Sequence, residues 1–429
     1  AGVLSSFQPV LQVGTVMSSI RDSYSAVCSE SELPTNPYIL HVLHDTDERV
    51  SRLSPEEGVE IKLTGNNRLL PVQRLSDTDV LALSKALADN VSVRGLDLRY
   101  NSITDEGAAH LGVLLQENVS LRCLNLMGND IEVSGAEFIA KALHRNETLK
   151  TLQMTGNKIG DKGGMHFAAM LQINSSLEEL DLGDCDLDTQ SLIAFAIVLN
   201  HNKNAHVINL SRPLLFSQQE ETTVHMARML KVNRHLRELH LGKHEMKDFG
   251  VERLCDALSF NSTLRYLDLR CNSITRDGAK CLAELLKQNT GLEILDLASN
   301  RIEDDGAVYL SEALAMYNNT LKALSIPSNN IGARGLVSLA KALKVNTTLS
   351  HIYIWGNILE APACLAFSKL IESGRLSEED TDVSPYEVEG RVCLSELFHG
   401  LRRHYYWTPS YGQDGDPASN SSLALRDTA

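Results

Sequence analysis

Apolar residues recur along the chain in short alternating runs, and each run is followed by a longer one with helical spacing. In the run LRYLDL, Leu267 and Leu269 alternate with polar residues, which predicts a short strand with one buried face. Four later residues follow the i, i+3, i+4, i+7 spacing of one helical stripe: Ala279, Leu282, Ala283 and Leu286. A strand–turn–helix unit of this size cannot bury both apolar faces alone, so it needs similar units on each side.

Such units occur throughout the sequence, because the frame L-x-L-x-x-N returns about eleven times. Its last position is occupied in turn by Asn66, Asn101, Asn129, Asn157, Cys185, Pro213, His244, Asn272, Asn300, Asn329 and Asn357. The step is 28 residues from 101 to 213, from 244 to 300 and from 329 to 357. In seven units a glycine follows six residues later: Gly107, Gly135, Gly163, Gly250, Gly278, Gly306 and Gly335.

This periodicity predicts an α/β fold, a curved solenoid (horseshoe) of about eleven 28-residue repeats. Parallel strands joined by crossover helices would form a sheet on the concave face, with the helices on the convex face. At the Asn position a side-chain amide can satisfy backbone groups where the chain leaves the strand, and Cys185 is expected to substitute for it. The glycine is expected to let the turn pack closely at the start of the helix.

Three steps depart from 28 residues. The step after position 66 is 35, and residues 68–79 are expected to hold the excess as a longer loop. The step after position 213 is 31, and the irregular stretch 212–223 predicts a kink or bulge of the horseshoe. The step after position 300 is 29, which indicates a one-residue insertion at the helix end near 318–319.

The ends of the chain lack the repeat. The predicted organisation is an N-terminal cap over 1–58, the repeat solenoid over 59–372, a C-terminal cap over 373–408 and a disordered tail over 409–429. Four residues predict a short amphipathic helix that covers the first repeat: Tyr38, Ile39, Val42 and Leu43. Residues 386–397 predict either a hairpin or a strand followed by a helix, which would close the far end.

Composition narrows the class of partner. The 429-residue chain has a net charge of −15, which disfavours nucleic acid, because phosphate binding needs clustered Lys and Arg; a basic or mixed-charge protein fits better. The eight cysteines form no Cys-x-x-Cys pair, and the N-terminus lacks the basic start and apolar core of a signal peptide. We therefore expect reduced thiols, a cytosolic or nuclear protein that is not secreted, and no membrane span.

No catalytic or metal motif is found. The sequence has no G-x-S-x-G and no H-E-x-x-H, and residues 156–164 lack the spacing of a phosphate loop. His240 and His244 lie on a strand and its turn, so they would not share a helix face, and no third ligand is spaced to join them. We predict no catalytic residue, metal, cofactor or small-molecule substrate. The Asn-x-Ser/Thr sequences recur with the repeat, which favours a structural role at helix ends: Asn90, Asn118, Asn146, Asn174, Asn261, Asn318 and Asn346.

The concave face is the candidate binding site, because side chains between the strand leucines point away from the core. The central column contains Asp97, Asn125, Gln153, Asp181, Asn209, His240, Asp268, Asp296, Ser325 and Tyr353. One neighbouring column includes Arg99, Arg270 and Trp355, and the other includes Glu179, Glu238, Tyr266 and His351. Tyr353 and Trp355 are expected to be exposed, with no role in the core, as binding hot spots often are. The alternative is that these columns are solvated strand positions without a partner.

Over residues 59–372 the chain resembles the leucine-rich repeat proteins of the ribonuclease-inhibitor-like class, which have repeats near 28 residues and full helices. The matching segments include LTGNNRLLPVQRLSD (63–77), GDCDLDTQSLIAFAIVLN (183–200), IYIWGN (352–357) and DTDVSPYEVEGRV (380–392). They resemble a member of this class that is placed in the nucleolus and cytoplasm and linked to stem-cell proliferation, pluripotency, testis and ciliated cells. The resemblance therefore implies a role in a nucleolar regulatory assembly or in a ciliary or flagellar axoneme.

The sequence favours a non-enzymatic protein-binding scaffold that offers a rigid, preorganised concave surface. Because Ran-type GTPase-activating proteins share this repeat class, the resemblance also implies such an activator as an alternative, although the acidic run that ends those proteins is absent here. A third alternative is an inhibitor of a basic enzyme, which the acidic concave face favours. Binding by such an inhibitor would weaken strongly with added salt.

Overall fold

The computed structural model describes residues 19–54, 57–215, 220–288 and 290–397. The strands of the repeats are β1 Val59–Lys62, β2 Val93–Asp97, β3 Cys123–Asn125, β4 Thr151–Gln153, β5 Glu179–Asp181, β6 Val207–Asn209, β7 Glu238–His240, β8 Tyr266–Asp268, β9 Ile294–Asp296, β10 Ala323–Ser325 and β11 His351–Tyr353. The helices are α1 Ile20–Glu30, α2 Pro37–Val50, α3 Asp77–Leu87, α4 Asp105–Glu117, α5 Val133–Leu143, α6 Gly160–Leu171, α7 Thr189–Leu199, α8 Glu220–Val232, α9 Lys247–Leu258, α10 Arg276–Leu286, α11 Glu303–Met316, α12 Ala333–Val345 and α13 Ala361–Glu372.

Strands β1 to β11 form one parallel sheet in the order of the sequence. Successive strands pair in register, so the buried Leu96, Leu124 and Leu152 lie side by side on one face. Each strand is connected to the next by a crossover helix, and successive helices pack against each other. The predicted α/β solenoid of about eleven repeats is confirmed. No helix within the described residues is long and apolar enough to cross a membrane.

The Asn position of the frame ties neighbouring repeats together, as predicted. Asn272 Nδ2 donates to the carbonyl oxygen of Leu241 in the preceding repeat at 2.8 Å, and its Oδ1 accepts the N–H of His244 at 2.8 Å. The buried amide thereby satisfies backbone groups that the turn would otherwise leave unpaired. Cys185 takes the same place, with its Sγ 3.1 Å from the carbonyl oxygen of Met154.

A second series of asparagines lies at the C-terminal ends of the helices. Asn118 Nδ2 donates to the carbonyl oxygens of Leu87 and Asn90 at 2.8 and 2.9 Å, and its Oδ1 accepts the N–H of Leu121 at 2.8 Å. Equivalent bonds to the preceding repeat are made by Asn146, Asn174, Asn261, Asn318 and Asn346. The structural interpretation of these Asn-x-Ser/Thr sequences is therefore confirmed. Arg375 ends this series, with Nε 2.7 Å from the Leu343 carbonyl oxygen.

The glycine near each helix start permits a close approach between repeats, as predicted. Asp248 Oδ1 accepts the N–H groups of Thr275 and Gly278 at 2.8 and 3.0 Å. A Cβ atom on Gly278 would lie 2.5 Å from that same oxygen, which is too close for any larger residue without rearrangement.

Two helices cover the N-terminal end of the solenoid. Helix α2 buries the four residues from which a capping helix was predicted, Tyr38, Ile39, Val42 and Leu43, so this prediction is confirmed. The Tyr38 hydroxyl donates to the carbonyl oxygen of Thr64 at 3.0 Å, which fixes the helix against the first repeat. Helix α1 packs beside it. The sequence pattern does not predict this helix, because its buried stripe has only three residues, Ile20, Tyr24 and Cys28.

The C-terminal end is closed by a hairpin of β12 Val383–Val388 and β13 Arg391–Glu396, which confirms the first of the two predictions for 386–397. Asp382 lies just before it and accepts the N–H of Ile354 at 2.7 Å and that of Trp355 at 3.0 Å. In inner repeats the neighbouring strand supplies such acceptors, as Tyr353 does for the N–H of Ile326 at 3.0 Å. Asp382 therefore terminates the open edge of the sheet.

The irregular steps of the repeat map onto particular segments. The loop predicted over 68–79 ends at Ser76, because α3 begins at Asp77. Around 212–223 the sheet continues without interruption, since β6 and β7 keep the same register; residues 216–219 of that stretch lie outside the described residues. Likewise, the predicted tail 409–429 and residues 398–408 of the predicted C-terminal cap lie outside them.

Candidate protein-binding surface

The side chains of the concave columns are less exposed than strand alternation alone predicts. Of the predicted contact residues, Asp97, Gln153, Asn209, His240, Asp268, Asp296 and Tyr353 are buried, and Arg99, Asn125, Asp181, Arg270 and Trp355 are half-buried. Strands of a sheet lie about 4.8 Å apart, so each side chain in a column is covered by those of its neighbours. The assignment of these residues to partner contact stays a proposal.

The central column also has a structural role. Asp181 Oδ1 accepts the N–H of Gly183 at 2.9 Å, and Asp268 Oδ1 accepts that of Arg270 at 3.0 Å. The same bond to the residue two positions on is made by Asp97, Asn125, Asn209 and Asp296. Such Asx turns end the strands, and Asp and Asn serve equally well in them. The acidity of this column is therefore not by itself an indication of a basic partner.

A cluster of opposite charges lies between β7 and β8. The fully buried Asp268 has its Oδ2 3.3 Å from Arg270 Nε and 3.4 Å from His240 Nδ1. His240 Nε2 lies 3.9 Å from Glu238 Oε2, and its ring packs edge-on against Tyr266. Burial alone would lower the pKa of His240, but the hydrogen bond with Asp268 and the nearby carboxylate of Glu238 outweigh burial and raise this pKa to about 9. His240 is therefore a cation at neutral pH.

The carboxylates of this face differ in their pairing. Asp97 Oδ2 lies 3.1 Å from Arg99 Nε, and burial nevertheless raises the pKa of Asp97 to about 6. Asp181 is half-buried, and no Lys, Arg or His in the described part of the chain lies within ion-pair distance of it. Glu179 lies on the same strand, two residues before Asp181. Asp181 and Glu179 on β5 therefore form the part of this face that would attract an added cation.

The burial of the aromatic side chains at the C-terminal end of the face contradicts the prediction that they are exposed. Tyr353 is only 3% exposed and packs with Tyr266, Ile294 and Ala323 in a small apolar cluster on the concave side. The prediction that its ring is exposed, with no role in packing, is wrong, because β9 and β10 carry apolar residues on both faces. The same prediction is wrong for Trp355, because its ring is half-buried and packs against the main core. Its indole is the more accessible of the two aromatic side chains.

The repeats also match a known family model. The model described as Leucine Rich repeat matches residues 89–112, 117–140, 145–168, 174–196, 232–255, 260–283, 288–311 and 317–340. Leucine-rich repeat-containing protein 34 of Rattus norvegicus is 59% identical over 409 residues, which cover 95% of this chain and 98% of that protein. The human protein of the same name is 58% identical over 95% of this chain and 88% of its own length.

The chain belongs to the family of leucine-rich repeat-containing protein 34. The family and its repeats support a protein-binding scaffold. Among solved structures, one described as Leiomodin-1 Actin-Binding Site 2 (ABS2) matches 34% of this chain and 85% of its own, with 26% identity and a TM-score of 0.31.

The two histidines of β7 and its turn have separate roles. His244 Nε2 lies 2.8 Å from the carbonyl oxygen of Leu210, so His244 takes the place of the Asn of other repeats. Because the carbonyl oxygen accepts, Nε2 carries the proton. Burial lowers the pKa of His244 to about 4, which keeps the ring neutral. The described residues contain no group of three or more His, Cys, Asp or Glu that could hold a metal ion. The position of His244 in the frame indicates a residue of the turn, but it does not specify the bond of the ring to Leu210.

His244→Asn is expected to remove an acid sensitivity of the solenoid. Because the pKa of His244 is lowered from 6.5 to about 4, its stabilising effect is fully present above pH 6.5 and is lost as the pH falls through 4. This loss amounts to about 3 kcal/mol in the wild type, whereas an asparagine there keeps the bond to Leu210 and does not titrate. Urea unfolding from pH 7.5 to pH 4 measures the difference.

His244→Ala is the contrasting variant. It leaves the Leu210 carbonyl oxygen without its donor, so we expect lower stability than wild type already at pH 7.5, by about 2 kcal/mol. A wild-type pH profile for His244→Asn would show that His244 is not the group responsible.

Proposed function

We propose that the protein is a non-enzymatic scaffold whose concave face binds a partner protein through a basic or mixed-charge segment. The observation that carries the proposal is the half-buried Asp181, which lies beside Glu179 without an ion-pair partner within the described residues. The other central carboxylates are different, since Asp97 and Asp268 already face Arg99 and Arg270, and Asp296 is fully buried. A lysine or arginine of a partner would therefore find its strongest attraction at β5.

The same surface is already ordered before binding. The Asx turns fix the strand ends, and the charges around Asp268 hold the side chains of Arg270 and His240 in place. A preorganised surface loses little conformational entropy on association, which favours affinity from many modest contacts. Arg270 and Trp355, both half-buried, supply a cation and an aromatic ring at the C-terminal half of this face. Arginine and tryptophan are enriched among residues that dominate binding energy.

The cellular setting of this scaffold is a hypothesis drawn from the resemblance. We infer a role in a nucleolar and cytoplasmic assembly that regulates stem-cell proliferation, or in a ciliary or flagellar axoneme. Imaging of the tagged full-length chain in proliferating and in ciliated cells discriminates the two. Signal along the axoneme supports the structural role, nucleolar signal supports the regulatory role, and absence from both sites contradicts the hypothesis.

Cross-linking mass spectrometry on the native complex is expected to identify the partner and its location. Lysine-reactive cross-links should join the partner to Lys62 on the concave side of β1 and to Lys243 beside β7. The helix lysines Lys141 and Lys341 are exposed on the convex side and serve as internal controls. Links concentrated at Lys141 and Lys341 would place the partner on the helices and contradict the proposal.

A further inference from the structure

A second candidate site lies outside the concave columns, at the edge where the chain leaves β7, β8, β9 and β10. A cavity of about 400 Å³ opens there between loops of four successive repeats. The volume lies within the range of small-ligand sites, about 300 to 1,000 Å³.

The cavity is lined by cations in an otherwise acidic chain. Lys243, Lys247 and Arg301 are exposed, and no carboxylate among the described residues forms an ion pair with any of them. Glu245 is the single carboxylate in the described lining. Three basic side chains against one acidic side chain give this edge a local positive charge, whereas the whole chain carries a net charge of −15. A positive patch of this kind raises the local concentration of anions.

The rest of the lining consists mainly of small hydrogen-bonding side chains. Ser273, Ser299 and Ser328 come from three different loops and are exposed in the same cavity. Hydroxyl groups can donate to the oxygens of an anion, and arginine can donate two parallel bonds to a phosphate while lysine supplies a point charge. Several cations and several hydroxyl donors suit a dianion with three terminal oxygens better than a single carboxylate.

We propose that this cavity, defined by Lys243, Lys247, Arg301 and the three serines, binds a phosphate monoester group. The group could be carried by a free small molecule or by a phosphorylated side chain of a partner, and both share the dianionic phosphoryl oxygens that the cavity recognises. The cavity lies beside the concave columns and does not share Asp181 or Glu179. Failure of this proposal therefore leaves the proposed function standing, and the reverse also holds.

Isothermal titration calorimetry of the full chain at low ionic strength tests the site. The probes are inorganic phosphate and a five-residue glycine peptide with a central phosphoserine, with the unphosphorylated serine peptide as the control ligand. The variant Lys243→Gln with Arg301→Gln removes two cations and keeps side chains of similar length. Both phosphate probes are expected to bind the wild type, and the variant should weaken binding at least tenfold, as loss of two charge-assisted contacts would.

Lys158→Gln with Lys162→Gln is the matched control variant. Lys158 follows Asn157 as Arg301 follows Asn300, so it lies on the same edge, and Lys162 lies in the first turn of α6. Both control residues are exposed and belong to a repeat that does not line the cavity. It should bind both probes like the wild type. Tighter binding of the phosphopeptide assigns the site to a phosphorylated partner, and equal binding assigns it to a free phosphate ester. No phosphate-dependent heat up to about 10 mM, or equal losses in the two variants, would overturn the proposal.

Discussion

Arg375→Ala is expected to lower the free energy of unfolding by about 4 kcal/mol, because three carbonyl oxygens would lose charged donors. Arg375 Nε donates to Leu343 at 2.7 Å, and its Nη2 donates to Leu349 at 2.9 Å and to Asn346. In inner repeats the asparagine of the following repeat supplies such bonds, as Asn346 does for the preceding one. At the end of the array no further asparagine follows, and the guanidinium replaces it.

Arg375→Ala should destabilise the C-terminal end of the solenoid before it destabilises the whole array. In a repeat array each unit is stabilised by its neighbours, so loss of the terminal interaction should raise hydrogen exchange first in α13 and in β12 and β13. Arg375→Lys keeps the charge but cannot reach all three oxygens, and an intermediate loss is expected. Lys369→Ala removes an exposed cation from α13 and should leave urea unfolding unchanged. Equal stabilities of Arg375→Ala and wild type would refute this account of the C-terminal end.

Tyr353→Ala is expected to lower the free energy of unfolding by about 3 kcal/mol, as large-to-small changes of buried aromatic residues do. The ring is 3% exposed and fills space between Tyr266, Ile294 and Ala323. Tyr353→Phe keeps the packing and should recover most of the loss, which separates the ring from the hydroxyl. Thermal or urea unfolding monitored by circular dichroism measures both variants.

Trp355→Ala gives the complementary result. Because this ring is half-buried at the surface of the core, its removal should cost less stability than removal of Tyr353 and should reduce partner binding instead. If Tyr353→Ala left the unfolding curve unchanged while partner binding fell, the ring would be a contact residue after all and the packing described here would be wrong.

The fold could be predicted from the sequence because each residue type that marks the repeat has one structural role. The Leu positions, the Asn position and the glycine each recur at one spacing, and Asn272 and Gly278 have the contacts that their positions predict. His244 shows the limit of this approach. It occupies the Asn position, but whether its ring would bond the Leu210 carbonyl oxygen depends on the packing between repeats.

The candidate site could be predicted only in outline. Strand alternation correctly assigns residues to the concave columns, but it treats each strand separately and so overestimates exposure. Asp268 and Tyr353 are covered by side chains of neighbouring strands, and the Asx turn of Asp181 is a contact that no alternation pattern encodes. Asp382 escapes prediction for a related reason. It lies beyond the last repeat, where no period indicates its partners Ile354 and Trp355 directly after β11.

The affinity of the partner for a charge-neutralised concave face tests the central claim most directly. Glu179→Gln with Asp181→Asn removes two charges and keeps the Asx turn, since Asn125 and Asn209 make the same bond in other repeats. The control Glu252→Gln with Asp256→Asn neutralises two exposed carboxylates of α9.

Dissociation constants are measured by titration at 50 mM and 300 mM salt, values chosen at about the ends of the range over which surface charges become screened. We predict that the concave variant binds about tenfold more weakly at low salt and shows a smaller salt dependence, while the α9 control binds like the wild type. Wild-type affinity in the concave variant, or an equal loss in the α9 control, would contradict binding through the concave face.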